Sequence, residues 1–263
     1  MTATIKNKII TFQENSTGID YVIGDIHGRF DLVYKSLETV NFNPPIDRIF
    51  CVGDLIDRGP YSHHVIDFLN LHYVHAIRGN HEDMLLDFFE QYPNATDSEF
   101  YEAGFENGMT WFLNENIHTR KTILDKLSEL PLIIEINTSR GLVGLVHADV
   151  PQNISWDKFK EEINNGNEKI INTALWGRNR LNYSIEQDVE GLGRLYVGHT
   201  VQSHVKKLGN VVALDTGAVF NQHLSMVNIA CHSQALHFPT FPKNQNFNIK
   251  EQAKTPFSKI KHK

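Results

Sequence analysis

The stretch IDYVIGDIHGRFD (19–31) decides the fold. Its first half is short, apolar and β-branched and stops at Gly24, which predicts a buried strand over 19–24. A polar cluster, GDIHGRFD (24–31), follows at once. Beyond it Val33, Leu37 and Val40 recur at spacings of four and three, the period of a helix over 31–41. Asn43, Pro44 and Pro45 break that helix. The same phrase then returns twice. IDRIFCV (46–52) is a second predicted strand and runs into GDLIDRGP (53–60). Ser62 is then placed as the N-cap of a helix through Leu71, with Val65, Ile66 and Leu69 inward. YVHAI (73–77) is a third strand and ends in RGNHED (78–83). Strand, polar cluster and helix, three times in order, predict the βαβ units of an α/β sheet.

The texture changes further along. Residues 82–130 read as helical, with Ile123, Leu124, Leu127 and Leu130 at helical spacing before Pro131. After it PLIIEI, LVGLVHA, RLYVGHT, VVALDTG and LSMVNIA are strand-like runs between glycines and polar turns. A polar stretch over 152–190 reads as less regular. No Pro-, Gly- or Ser-rich linker divides the chain, so residues 1–237 read as a single domain sharing one core. From Phe238 large apolar residues are few. Lys243, Lys250, Lys254, Lys259, Lys261 and Lys263 face Glu251 alone, which predicts a basic, solvated tail over 238–263.

Composition excludes several classes of protein. A chain of 263 residues, 41% hydrophobic and 21% charged, can bury a core without a disulfide or metal staple. A net charge of −6 argues against a protein that coats nucleic acid, so no stable nucleic-acid partner is expected. No apolar run reaches the ~20 residues that span a bilayer, and the N-terminal residues lack a signal-peptide pattern. Two cysteines, Cys51 and Cys231, suit a reducing compartment. The expectation is therefore a cytoplasmic protein without a membrane partner. Oligomeric state has no signal here.

The three polar clusters supply Asp25, His27, Asp54, Asp57, Arg58, Arg78, Asn80 and His81, each just past the end of a predicted strand, where open α/β sheets bind ligands. His147 and His199 end two later strand-like runs. Carboxylate, amide and neutral imidazole without thiolate suit manganese, iron or zinc in a site that is not a cysteine-held structural one. Asp25 and His27, two apart in a turn, can point at one ion. Asp54 has two oxygens and can bridge to a second, which Asn80, His147 and His199 can complete. Such a pair of cations clamps an in-line phosphoryl displacement. Asp57 beside His81 would fix the tautomer of that ring. Arg58 and Arg78 offer planar forks for phosphate oxygens. Each residue alone has a bland reading as turn, cap or surface ion pair. The ordered combination GDxHG, GDxxDRG and RGNHE is what is specific.

These blocks resemble the three signatures of the PPP-type metallophosphoesterases, most closely their bacterial and bacteriophage protein phosphatases. ELPLIIEI (129–136), VHADVP (146–151), WGR (176–178), GHT (198–200) and DTGAVF (215–220) match that branch in order, so the resemblance spans nearly all of residues 20–230. It implies the calcineurin-like metallophosphoesterase fold, a central β-sandwich of mixed sheets flanked by helices on both sides. It implies two divalent metal ions, manganese foremost with iron or zinc as alternatives. Asp25, His27 and Asp54 would hold the first, and Asp54, Asn80, His147 and His199 the second. It implies His81 as general acid backed by Asp57, and Arg58, Arg78 and Arg178 as phosphate-binding forks, with Arg180 a competitor for the place of Arg178. Asp215 and Thr216 are read as structural. Gly24, Gly28, Gly53, Gly59 and Gly79 are read as backbone devices of the tight turns.

The resulting expectation is a metal-dependent phosphomonoesterase acting on phosphoserine or phosphothreonine proteins and peptides, extending to phosphotyrosine. A hydroxide bridging the metals would attack phosphorus in line. Two other readings stand beside it: a dinucleoside polyphosphate (diadenosine tetraphosphate) hydrolase on the same core, and a noncatalytic binding protein, against which the intact His81 and Asp57 argue.

Overall fold

In the computed structural model, residues 8–230, 235–239 and 247–252 are described. The strands form two sheets. β2 (Asp20–Ile23), β3 (Arg48–Cys51) and β4 (Val74–Ala76) are the three expected strands, and they pair in parallel. β10 (His223–Asn228) adds antiparallel to β2, and β11 (Ala235–Pro239) to β10. This five-stranded sheet runs β11-β10-β2-β3-β4. The second sheet holds β1 (Ile9–Phe12), β5 (Ile133–Ile136), β6 (Val143–Val146), β7 (Arg194–Val197), β8 (Lys206–Leu208) and β9 (Val211–Ala213) in the order β1-β5-β6-β7-β9-β8.

The period of two along each strand sorts its side chains between layers. Val22, Phe50 and Val52 face Ile134, Ile136, Leu145 and Tyr196 across the gap between the sheets. Their neighbours Tyr21, Ile23, Ile49 and Cys51 point the other way, under helices α1 (Phe30–Thr39), α2 (Val65–Leu69), α3 (Asn80–Gln91), α4 (Asp97–Gly104) and α5 (Ile117–Ser128). On the second sheet Ile133, Val146, Leu195 and Val197 face outward onto Trp156, Phe159 and Ile163 of α6 (Trp156–Asn164), Ile171 and Leu175 of α7 (Glu168–Trp176) and Leu181 of α8 (Asn179–Asn182). The result is a β-sandwich with helices on both faces, as expected.

Three details differ from the sequence reading. The stretch 152–190 is mostly helical: Ser155 accepts the Lys158 N–H and Asn167 that of Ile170, N-caps that stop the polar run being a loop. Ser62 opens a 3-10 turn over Ser62–His64, its hydroxyl turned back to the Gly59 carbonyl rather than capping α2. The expected tail does not begin at 238. Phe238 lies in β11, and Phe247 and Ile249 are buried in the helical core beside α2, where α9 (Ile249–Gln252) packs. Three well-spaced apolar side chains dock β11 and α9 there. Residues 240–246 and 253–263 lie outside the described residues. Ile249→Ala is expected to cost about 2–4 kcal/mol, the usual loss for a fully buried isoleucine. Lys250→Ala, which breaks only an exposed 3.6 Å pair with Asp67, should cost under ~1 kcal/mol. Urea unfolding of both variants checks the contrast.

Candidate metal and phosphate site

The parallel strands β2, β3 and β4 all end at one edge, as do β6, β7 and β9 of the facing sheet. The turns beyond those ends therefore converge. Asp25 and His27 follow β2, Asp54, Asp57 and Arg58 follow β3, and Asn80 and His81 open α3 after β4. His147 follows β6, His199 follows β7 and Asp215 follows β9. The turns are sharp. His27, Asp54, Asp57, Arg58 and His199 all take positive φ, between 45° and 72°, a conformation that costs a non-glycine residue and gathers at functional sites. They close because glycines let the chain touch itself. A Cβ on Gly59 would lie 1.7 Å from the His27 carbonyl oxygen, and one on Gly198 would lie 1.9 Å from Asp25 Oδ1.

Asp54 sits at the centre. Its Oδ2 is 3.5 Å from His27 Nε2 and its Oδ1 is 3.4 Å from His147 Nε2. Two groups of potential ligand atoms share it, His27–Asp54–His81 and Asp54–His147–His199. Asn80 Oδ1 lies 2.8 Å from both His147 Nε2 and His199 Nδ1. The far nitrogens set the tautomers: His27 Nδ1–H donates to the Ile56 carbonyl at 2.9 Å and His147 Nδ1–H to Val52 at 2.7 Å. Nε2 of each ring is thus left with a lone pair: that of His147 faces the Asn80 amide and Asp54 carboxylate oxygens, and that of His27 lies 3.5 Å from Asp54 Oδ2 and accepts from Arg58 Nη1. Lone pairs facing lone pairs are what a cation resolves.

Electrostatics agrees. Burial holds His27 down at about 3 and His199 at about 2, and it lowers His147, so these rings are neutral donors. Burial pushes Asp54 up, but the ring of imidazoles around it, of which His81 alone is raised in basicity, and the His81 N–H that its Oδ1 accepts at 3.0 Å bring the carboxyl below its ordinary value. Asp25 is raised well above the usual range, first by burial and then by the charges of Asp215 and Asp54. It lies in neither ligand-atom group, whereas the sequence reading put it with His27 and Asp54. Its Oδ2 accepts the His199 N–H at 3.0 Å. Its Oδ1, like His199 Nε2, is buried without a hydrogen-bond partner among the described residues. An oxygen and nitrogen donor set with such orphaned atoms fits one or more hard to borderline divalent cations.

His81 Nδ1 meets Asp57 Oδ2 at 2.7 Å inside the site. Burial lowers the affinity of this ring for a proton, yet the charges of Asp54 and Asp57 carry it above the ordinary histidine value.

The arginines divide. Arg58 is exposed, with Nη1 2.9 Å from His27 Nε2 and its guanidinium over the Phe220 ring. A cation taking that lone pair would free the fork. Arg178 is exposed beside the site, and its Nη1 donates to the His199 carbonyl and Thr200 Oγ1 at 3.1 and 3.2 Å. Arg180 is buried and committed to Asp149 and to the carbonyls of Ile185 and Gln187, so it does not compete for that place. Arg78 corrects the sequence reading. It is fully buried and gives its guanidinium to Asp83 Oδ1 at 3.2 Å and to the Ser128 carbonyl at 3.1 Å, so it braces α3 against α5 and offers phosphate no fork. Arg78→Ala is accordingly expected to lower stability by about 3–5 kcal/mol by breaking a buried ion pair with Asp83. Arg58→Ala and Arg178→Ala should leave the melting temperature near the parent's and lower kcat/KM by about 10²-fold or more. Thermal melting beside kinetics separates the two classes.

Two residues escaped the sequence reading. Glu82 accepts the N–H groups of Asp54, Leu55, Ile56 and Gly79 and so welds the second cluster to the third. Its burial, with Asp54 nearby, raises it to about 7. Its signal was present: an acid at the third position of a helix that starts at a glycine. Trp111, whose Nε1–H donates to Asp57 Oδ1 at 2.7 Å, had no local signal.

Comparison with known proteins adds four findings. Residues 21–203 match the family model of the calcineurin-like phosphoesterases. Serine/threonine-protein phosphatase 1 of Salmonella typhimurium is 32% identical over 80% of this chain and 91% of its own length. A symmetrical bis(5'-nucleosyl)-tetraphosphatase of Shewanella sp. is 28% identical over 54% of this chain and 48% of its own length. Among solved structures, a protein serine/threonine phosphatase from Saccharomyces cerevisiae superposes with a TM-score of 0.58 at 16% identity, covering 90% of this chain and 85% of that one, which speaks to the fold alone.

Proposed function

The chain belongs to the calcineurin-like phosphoesterases, and from that premise we propose that it is a protein serine/threonine phosphatase, reaching phosphotyrosine as well, that works with two divalent cations, manganese first among them. The observation that carries the proposal is one carboxylate, Asp54, shared by two groups of histidine nitrogens, His27 with His81 and His147 with His199, with Asp57 backing His81. We assign Asp25, His27 and Asp54 to one cation and Asp54, Asn80, His147 and His199 to the other. Cations bound there supply Lewis-acid charge to the phosphoryl oxygens and acidify water. Arg58 and Arg178 grip the remaining oxygens. His81, its Nδ1–H held by Asp57, keeps Nε2 for protonating the leaving oxygen. The protein-phosphatase reading is favoured over the dinucleotide one because the relatedness runs through nine-tenths of the Salmonella phosphatase and only about half of the Shewanella tetraphosphatase.

A reducing compartment, the cytoplasm, suits the buried free thiol of Cys51. Among the described residues no helix is long and apolar enough to cross a membrane.

Kinetics on phosphoserine, phosphothreonine and phosphotyrosine peptides and on diadenosine tetraphosphate, each with manganese, iron or zinc, tests the proposal. We expect the first two peptides to be turned over with the highest kcat/KM. A preference for the dinucleotide would transfer the site to the second reading. No metal-dependent turnover even of p-nitrophenyl phosphate would leave a binding protein.

A further inference from the structure

The segment between α4 and α5 reaches into the acid. Gly108 takes φ +76 and its carbonyl accepts the Arg58 N–H at 3.2 Å; a Cβ there would press on the Arg58 nitrogen at 2.7 Å. Three residues on, in the 3-10 helix Met109–Asn114, the half-buried Trp111 donates Nε1–H to Asp57 Oδ1 at 2.7 Å. The other oxygen of that carboxylate, Oδ2, meets His81 Nδ1 at 2.7 Å. Asp57 is fully buried and sits in strained backbone at φ 72. We propose that Trp111 is a positioning residue for the general acid: its indole N–H pins the Asp57 carboxylate in the plane that holds His81 in its productive tautomer and orientation.

The carboxylate torsion is broad and roughly two-fold, so one hydrogen bond does not fix its plane. Two bonds on opposite oxygens do. Without the indole N–H, Oδ1 becomes a buried acceptor with no donor, which is costly enough to make the carboxylate rotate. His81 Nδ1 then loses its linear partner, and Nε2 swings from its line to the leaving oxygen. Trp111 touches neither substrate nor metal in this scheme, and it acts only through Asp57. The inference rests on the reading of His81 as general acid.

The test compares the full-length chain with manganese on two substrates, a phosphoserine peptide with a poor leaving group and p-nitrophenyl phosphate with a good one. The readout is the ratio of the two kcat values, which does not depend on how much of a variant is folded. Trp111→Phe is expected to lower phosphoserine turnover about 10–100-fold and p-nitrophenyl phosphate turnover less than about threefold. Trp111→His, which keeps a ring N–H, should recover part of the ratio. Trp111→Phe placed in a His81→Asn background should move the ratio no further. If Trp111→Phe gives too little protein, Trp111→Leu, also without a donor, makes the same comparison. A ratio unchanged in the donor-less variants while His81→Asn shifts it overturns the role of Trp111 and leaves His81 as the acid. A ratio unmoved in His81→Asn itself overturns the acid assignment and this inference with it.

Discussion

In an Asp54→Asn variant, both cations are expected to be lost and turnover to fall by about 10³-fold or more, the largest effect of any single change in this chain. The reason is the position of the two oxygens. Oδ2 belongs to the His27 side and Oδ1 to the His147 side, so one charge serves both ligand groups. Asparagine keeps the shape but removes that charge and turns one oxygen into a donor, which repels a cation. In the fold, removing that charge relieves its repulsion of Asp25, Glu82 and Asp215 but forfeits its attraction to the surrounding histidines, so without metal the variant should melt near the parent's temperature. With added manganese the parent should gain stability by mass action and the variant should not. Elemental analysis and melting with and without manganese provide the check. Retention of a full metal complement with normal turnover would remove Asp54 from the site.

The second large effect belongs to His81. We expect His81→Asn to retain bound metal and to lower kcat by about 10²–10⁴-fold on phosphoserine peptides, the usual worth of general acid catalysis. Alkoxide leaving groups need the proton and p-nitrophenolate does not, so p-nitrophenyl phosphate should suffer far less. The ring is equipped for this. Asp57 holds its Nδ1, and the charges of Asp54 and Asp57 overcome the burial that would otherwise strip its proton. A further sign would be a steeper fall of log kcat with rising leaving-group pKa in the variant than in the parent. Equal loss across that series would mean that His81 serves the site in another way, for instance as the cation ligand that its closeness to His27 and Asp54 allows.

The two sides of the site were not equally legible. Runs such as DYVI and RIFC name themselves as buried parallel strands, and the turns after them carry their polar residues within a few positions. His147 and His199 could be placed because each also ends an apolar run. β1 and β11 escaped because short edge strands carry little pattern of their own. The helices of 152–190 escaped although Ser155 and Asn167 announce two of them, since α6 is polar over most of its surface and shows the core only Trp156, Phe159 and Ile163.

What the sequence determined by itself is everything that depends on neighbours in the chain: the strand–turn–helix rhythm, the donor types at each strand end and the order of the three clusters. What only the tertiary structure decided is which distant groups share a hydrogen bond. Arg78 and Arg178 read alike as forks, yet one is spent on Asp83 and Ser128 and the other is exposed beside His199. Trp111 and Asp57 lie 54 positions apart, and Asn80 and His199 lie 119 apart. The physical reason is reach. Periodicity and turn chemistry act over a few residues of backbone, whereas a hydrogen bond within 3 Å across the fold is fixed by how whole layers pack, and no local pattern records that distance.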